Sequence, residues 1–215
     1  MHFEVLVEDL SGKNALERLI PKIVGEKHTF RVLAYKGIGH VPKNMNSAAD
    51  ASKRKLLANL PRLLSGYGKA WNNYSGVVIV ICDLDDKCLK SFLSQLQGIL
   101  KSCDPRPETR FCIAIEEGEA WFLGDIAAIK KAYPKAKCSV LESYQADSIC
   151  GTWEILADAV YPGGSRELIK QGQNKIGAEK SAWALKISPY MDIDRNCSPS
   201  FNYFVGKLKE LSLSN

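Results

Sequence analysis

Three apolar runs of this chain end in acids. Val77-Val78-Ile79-Val80-Ile81-Cys82 leads into Asp83-Leu84-Asp85-Asp86, Phe3-Glu4-Val5-Leu6-Val7 leads into Glu8-Asp9, and Phe111-Cys112-Ile113-Ala114-Ile115 leads into Glu116-Glu117-Gly118-Glu119. A continuous β-branched run reads as a strand buried on both faces, which implies a parallel sheet. Ligands of open parallel sheets sit outside the carboxyl ends of the strands. Three such ends would gather carboxylates in one cleft, where like charges repel unless something neutralises them. Mg²⁺ or Mn²⁺ is the natural partner of a site built only from oxygen ligands.

Asp83 and Asp85 lie two residues apart at a strand end. In an extended chain both side chains would point to one side, about 6–7 Å apart at the backbone. They could then reach one ion, or two ions about 4 Å apart. Asp86 extends the same set of candidate ligands. A single acidic turn would be explained as well by turn or cap formation; its recurrence at three strand ends favours metal. Glu8 is a candidate ligand or general acid/base, or else a helix cap, a role that Asp9 or Ser11 could take instead. Glu116 and Glu119 would share a face if a helix begins there, and Glu117 would not. An acid at a helix N-terminus also complements the macrodipole, so Glu117 has a purely structural reading.

The elements that must carry these acids alternate. The pattern predicts strands near 3–8, 29–35, 76–82 and 110–115. Helices are expected near 13–24, 47–65 and 87–101, with another carrying Trp121 and Phe122. Pro21 argues for a kink or early end in the first helix. Gly37-Ile38-Gly39-His40-Val41-Pro42 reads as a loop. The order predicts an α/β fold, a parallel sheet with right-handed crossovers and helices on both faces. From about 138 onward the pattern becomes helical. Cys138–Leu141 is a short strand candidate, and helices are expected near 151–160, 177–188 and 199–211, the last with Ser198 as N-cap and Pro199 at its first position. We therefore divide the chain into an α/β domain, 1–137, which carries the acids, and a helical extension, 138–215, packed on the same domain.

The 215 residues, 46% of them hydrophobic, suffice for one sizeable domain. No apolar run approaches the roughly 20 residues that span a bilayer, and the N-terminus lacks a basic leader. The expectation is a soluble, cytoplasmic protein without membrane contact. Seven scattered cysteines suggest reduced, mostly buried thiols, and three histidines without ligand spacing argue against zinc. The net charge of +5 is mild. Set beside an acidic cleft it suits a phosphate-backbone substrate, although a solvated surface with a lysine bias accounts for it equally. Lys36 and Lys43, in and beside the Gly-rich loop, together with Lys175 and Lys180, are the candidates for backbone contact; each reads alternatively as a solvated lysine. Trp183, Phe201, Tyr203 and Phe204 read as core before they read as a base-stacking platform.

A strand ending in Glu followed by a strand ending in Asp-x-Asp, on this alternating frame, resembles the Toprim catalytic domain of topoisomerases, primases and nucleases of the overcoming-lysogenization-defect group. The resemblance is closer to a Toprim-like bacterial family, the domain of unknown function 4276. Its motifs match Val7-Glu8-Asp9, Asp83-Leu84-Asp85, Ile115-Glu116-Glu117-Gly118-Glu119-Ala120-Trp121-Phe122-Leu123 and Ser198-Pro199-Ser200-Phe201. The resemblance implies a Mg²⁺-dependent (or Mn²⁺-dependent) nuclease of DNA or RNA, in anti-phage defence. Asp83 and Asp85 would carry the metal, Glu8 would join them or act as acid/base, and Glu116 or Glu119 would complete a second site. It also implies a partner ATPase and a homodimer. Asp9 departs from the Gly that many Toprim domains place there. The rival reading is a non-catalytic or conditionally active toxin or sensor subunit controlled by that ATPase. A small-molecule phosphotransferase is disfavoured because no Gly-rich phosphate loop of the G-x-x-x-x-G-K-[ST] type is present.

Overall fold

The computed structural model describes residues 1–41, 54–71 and 74–213. Four strands form one parallel sheet: β1 (His2–Val7), β2 (Thr29–Ala34), β3 (Gly76–Asp83) and β4 (Thr109–Ala114), in the order β2-β1-β3-β4. Two of the three apolar runs become the central strands β1 and β3, where both faces of each are covered, and the third becomes the edge strand β4. Phe3, Val5 and Val7 with Val77, Ile79 and Ile81 face one core; Leu6 with Val78, Val80 and Cys82 faces the other. This is the expected α/β class, and a Toprim-like, Rossmann-type arrangement is compatible with it.

The second of these cores is closed by α2 (Leu56–Ala70) and α3 (Leu89–Lys101). Glu4 is a carboxylate buried within that layer, and it is satisfied by Arg31 Nε at 2.9 Å and His2 Nε2 at 3.2 Å. The opposite face receives α1 (Leu10–Val24), α4 (Glu119–Leu123), α5 (Ile126–Ala132), α6 (Cys138–Glu142), α7 (Thr152–Val160), α8 (Gly164–Lys170), α9 (Gln173–Ile187) and α10 (Pro199–Leu213). Leu16, Leu19 and Ile20 of α1 share one core with Trp183 and Ile187 of α9 and with Phe201 and Phe204 of α10. The C-terminal helices therefore complete the sheet's own core.

Several expectations change. α1 runs through Pro21 to Val24, because Pro21 and Glu17, whose carbonyl loses its donor, both face solvent. The second helix begins at Leu56 rather than near 47, and residues 47–53 lie outside the described residues. Its first N–H groups are satisfied by the loop after β2: Leu56 N–H donates to Gly37 C=O and Leu57 N–H to Ile38 C=O. Cys138–Leu141 is helical, not a strand. Lys137 N–H donates to Ala159 C=O instead of to a sheet edge, and only Leu141 of α6 is fully buried. The cysteines are all free, but Cys88, Cys138, Cys150 and Cys197 are exposed. Ser198 does cap α10, its Oγ accepting from Phe201 N–H at 3.1 Å. Among the described residues no helix is long and apolar enough to cross a membrane.

Candidate functional site

The chain leaves β1 on one side to form β2 and returns on the other to form β3. The strand order therefore reverses between β1 and β3, and a crevice opens at their carboxyl ends. Glu8 directly follows β1 and Asp83 closes β3, so both fall at this switch point. Glu8 Oε2 lies 3.5 Å from the Asp83 N–H. The first turn of α1 forms one wall. Asp9 Oδ1 caps it by accepting from Gly12 N–H at 2.7 Å. Gly12 has to be glycine for this close approach, since a Cβ there would meet Val7 Cγ2 at 2.5 Å. Glu119, at the start of α4, completes the cleft, and its remaining lining is largely apolar, including Leu16, Ile81 and Phe122.

Apolar walls make this a poor place for negative charge. Burial, with the repulsion of Asp9 and Asp85, pushes the Glu8 carboxyl up to about 7 against the opposing pull of the Asp83 N–H and Lys180. Burial and then Glu8 drive Asp83 well above the usual carboxylate range, with Lys180 opposing. Burial also pushes Glu119 up to about 7, although Lys180 pulls it down. Lys180 reaches in from α9, with Nζ 3.1 Å from Glu119 Oε2 and 3.3 Å from Glu117 Oε1. Burial works against its charge, but Glu119, Glu117 and Asp83 outweigh it and lift the ammonium above its ordinary range.

Not all the expected acids meet here. β3 ends at Asp83, and Asp85 adopts a left-handed backbone with φ 50°. Asp85 N–H donates to Glu116 C=O, and Lys87 N–H turns back to Leu84 C=O. The extended geometry that would aim Asp83 and Asp85 at one point is lost. The Asp85 carboxylate pairs with Lys87 and, with Asp86, lines a separate outer groove shared with Glu116, Glu117 and Glu154. Glu116 and Glu119 likewise diverge, because the helix starts only at Glu119 and Glu116 has φ 61°. The Glu116 carboxylate accepts from Gly151 N–H at 2.8 Å, Thr152 N–H at 2.9 Å and Cys150 N–H at 3.3 Å. It thereby caps α7, which has no side-chain cap from its own N-cap residue. Glu116→Gln is expected to lose about 1 kcal/mol of stability, in the range of a lost cap, read from denaturant unfolding.

Of the lysines, Lys36 is exposed on the loop beside the crevice, and the next residue, Gly37, donates its N–H to Glu8 C=O at 2.7 Å. Lys43 lies outside the described residues. Lys175 pairs with Glu179 at 2.7 Å, and Lys180 is directed into the cleft rather than to solvent. Two roles escaped the sequence reading. Glu154 joins the outer groove from α7. Ser11 donates from Oγ to Lys180 C=O at 3.1 Å and so holds α9 against α1. Neither has a local pattern, since each acts across elements far apart in the chain.

Among the described residues no three acidic, histidine or cysteine side chains already surround one cation position. The chemistry of the cleft nevertheless fits a divalent ion. Glu8 and Asp83 offer oxygens whose mutual repulsion Lys180 offsets only in part, and Asp85 could join them only by releasing Lys87. The molecule is thus an α/β protein with an acidic cleft at the topological switch point of its sheet. Residues 7–209 match the family described as domain of unknown function 4276, and the chain belongs to that family. No curated protein and no solved structure matches it.

Proposed function

We propose that the protein is a metal-dependent phosphodiesterase acting on nucleic acid, with Mg²⁺ or Mn²⁺ held by Glu8 and Asp83. The observation that carries this reading is the meeting of these two carboxylates in one low-dielectric crevice where open α/β sheets bind ligands. A bound divalent ion there would polarise a phosphodiester and lower the pKa of water. The metal-free Glu8 carboxyl is pushed up to about 7, so an arriving ion would displace a proton from it. Lys36 at the rim supplies positive charge for a phosphate backbone. A role in anti-phage defence belongs to this proposal and rests on the Toprim resemblance.

The raised carboxyls set a pH dependence. Glu8, its carboxyl pushed up to about 7, must lose its proton to hold a cation, and burial makes Asp83 favour its protonated form as well; Asp9, Glu119 and Lys180 act on this pair, and Asp85 acts on Glu8 from the outer groove. Mn²⁺ affinity is therefore expected to rise at least about tenfold between pH 6 and pH 8, since losing one competing proton gives up to tenfold per pH unit. Isothermal titration at the two pH values tests this, and pH-independent or absent binding would count against the metal site.

One observation favours a second reading, a conditionally active subunit governed by a partner such as an ATPase. Asp85 is tied to Lys87 and turned toward the outer groove. A partner or substrate that draws Lys87 away would free Asp85 for the cleft. Cleavage appearing only with such a partner would select this reading.

A further inference from the structure

We infer that Lys180 is a built-in second cation of this cleft, so that the chain takes one divalent ion rather than two. The inference rests on the metal-site reading above. Two-ion sites answer a surplus of carboxylates, and here the surplus is already answered. Lys180 Nζ bridges Glu119 Oε2 at 3.1 Å and Glu117 Oε1 at 3.3 Å. The Glu119 side chain is only 3% exposed and that of Lys180 17%, so water does little to screen the pair. The lysine is held in place at its backbone, where its C=O accepts from Ser11 Oγ at 3.1 Å, fixing α9 over the first turn of α1. Glu116 is engaged by three backbone N–H groups and Asp85 by Lys87. Among the described residues neither Glu8 nor Asp83 has an ion-pair partner, Lys180 acting on them only from its place on Glu117 and Glu119, and two carboxylates suit one ion. Lys180 therefore divides the acids into a half neutralised from within and a half that recruits metal. It is a positioning residue, holding Glu117 and Glu119 out of the metal's coordination sphere.

The test is Mn²⁺ stoichiometry and thermal stability at pH 8 on the full chain, with no substrate present. Wild type and Lys180→Arg are expected to bind one Mn²⁺ per chain. Lys180→Met should melt lower without metal, bind two Mn²⁺ and recover more of its melting temperature with Mn²⁺ than wild type gains. If it folds only with Mn²⁺ present, that also supports the assignment; failure to fold even then overturns it. Glu119→Gln should still bind one Mn²⁺, and a loss of affinity beyond tenfold would make Glu119 a ligand and overturn the inference. Two Mn²⁺ in wild type would overturn it while leaving the metal site standing. One Mn²⁺ in Lys180→Met, without extra thermal recovery, would do the same. No Mn²⁺ in any variant would remove both the inference and the reading beneath it.

Discussion

Asp83→Asn is expected to raise the melting temperature of the metal-free protein at pH 8 while abolishing Mn²⁺ binding and cleavage. Asp83 sits in the cleft against Glu8, and burial and that neighbour hold its carboxyl well above the usual range. The sign follows directly. A carboxyl whose folded-state pKa is raised binds protons more readily when folded, so its contribution favours folding at low pH and is lost as pH climbs past the unfolded value toward the raised one. At pH 8 the unfolded chain gains by ionising a carboxyl that the cleft keeps from doing so freely, and an amide of the same shape removes that penalty on the native state. Each kcal/mol recovered should appear as about 2–4 °C in a chain of this size. At pH 5 the gain should shrink, because less of the penalty has developed so close to the unfolded value. Loss of a metal worth several kcal/mol to the reaction should cost at least about 10³-fold in rate. Thermal melts at the two pH values and a cleavage assay check both halves. A lower melting temperature at pH 8 would mean that Asp83 is a structural anion.

The largest stability loss is expected at Trp121. Its ring stacks on Phe204 with centroids 5.1 Å apart and meets Phe201 edge-on at 5.5 Å. Its Nε1 donates to Ser200 Oγ at 3.0 Å, and its C=O accepts from Asn196 Nδ2 at 2.8 Å. The Glu-Ala-Trp-Phe-Leu and Ser-Pro-Ser-Phe segments are thus two halves of one joint, which seats α10 against the helix that begins with Glu119. Trp121→Ala should cost about 3–5 kcal/mol through cavity formation and the lost indole hydrogen bond. That is a large share of a typical domain's margin. Urea unfolding measures it, and a loss under about 1 kcal/mol would show that the joint is not structural.

The sheet was legible because its signal is local. Continuous runs such as Val77–Cys82 can only be doubly covered strands, and the structure places β1 and β3 at its centre. Ser198-Pro199 announced α10 by the chemistry of helix starts. Trp183, Phe201 and Phe204 are buried, as core packing required, whereas Tyr203 is half exposed. The acids were less legible. Their position after strands could be read, but not their direction, because a single left-handed residue at Asp85 or Glu116 re-aims a side chain without leaving a mark in the composition. Lys180 reads from sequence as a phosphate contact or a solvated lysine, not as a partner of the cleft's acids. Its role depends on α9 crossing α1, a contact between residues 169 positions apart. α8 was missed because Gly163-Gly164, both left-handed, reads as a loop although a helix begins at the second of them.

The most direct test of the nuclease assignment is cleavage of a mixed panel of plasmid, single-stranded DNA and total tRNA by the purified protein with Mg²⁺, Mn²⁺ or chelator, wild type beside Asp83→Ala. The proposal predicts cuts that need the metal and vanish in the variant while its melting profile stays that of a folded protein. Cleavage that persists in Asp83→Ala, or that ignores the chelator, would contradict it.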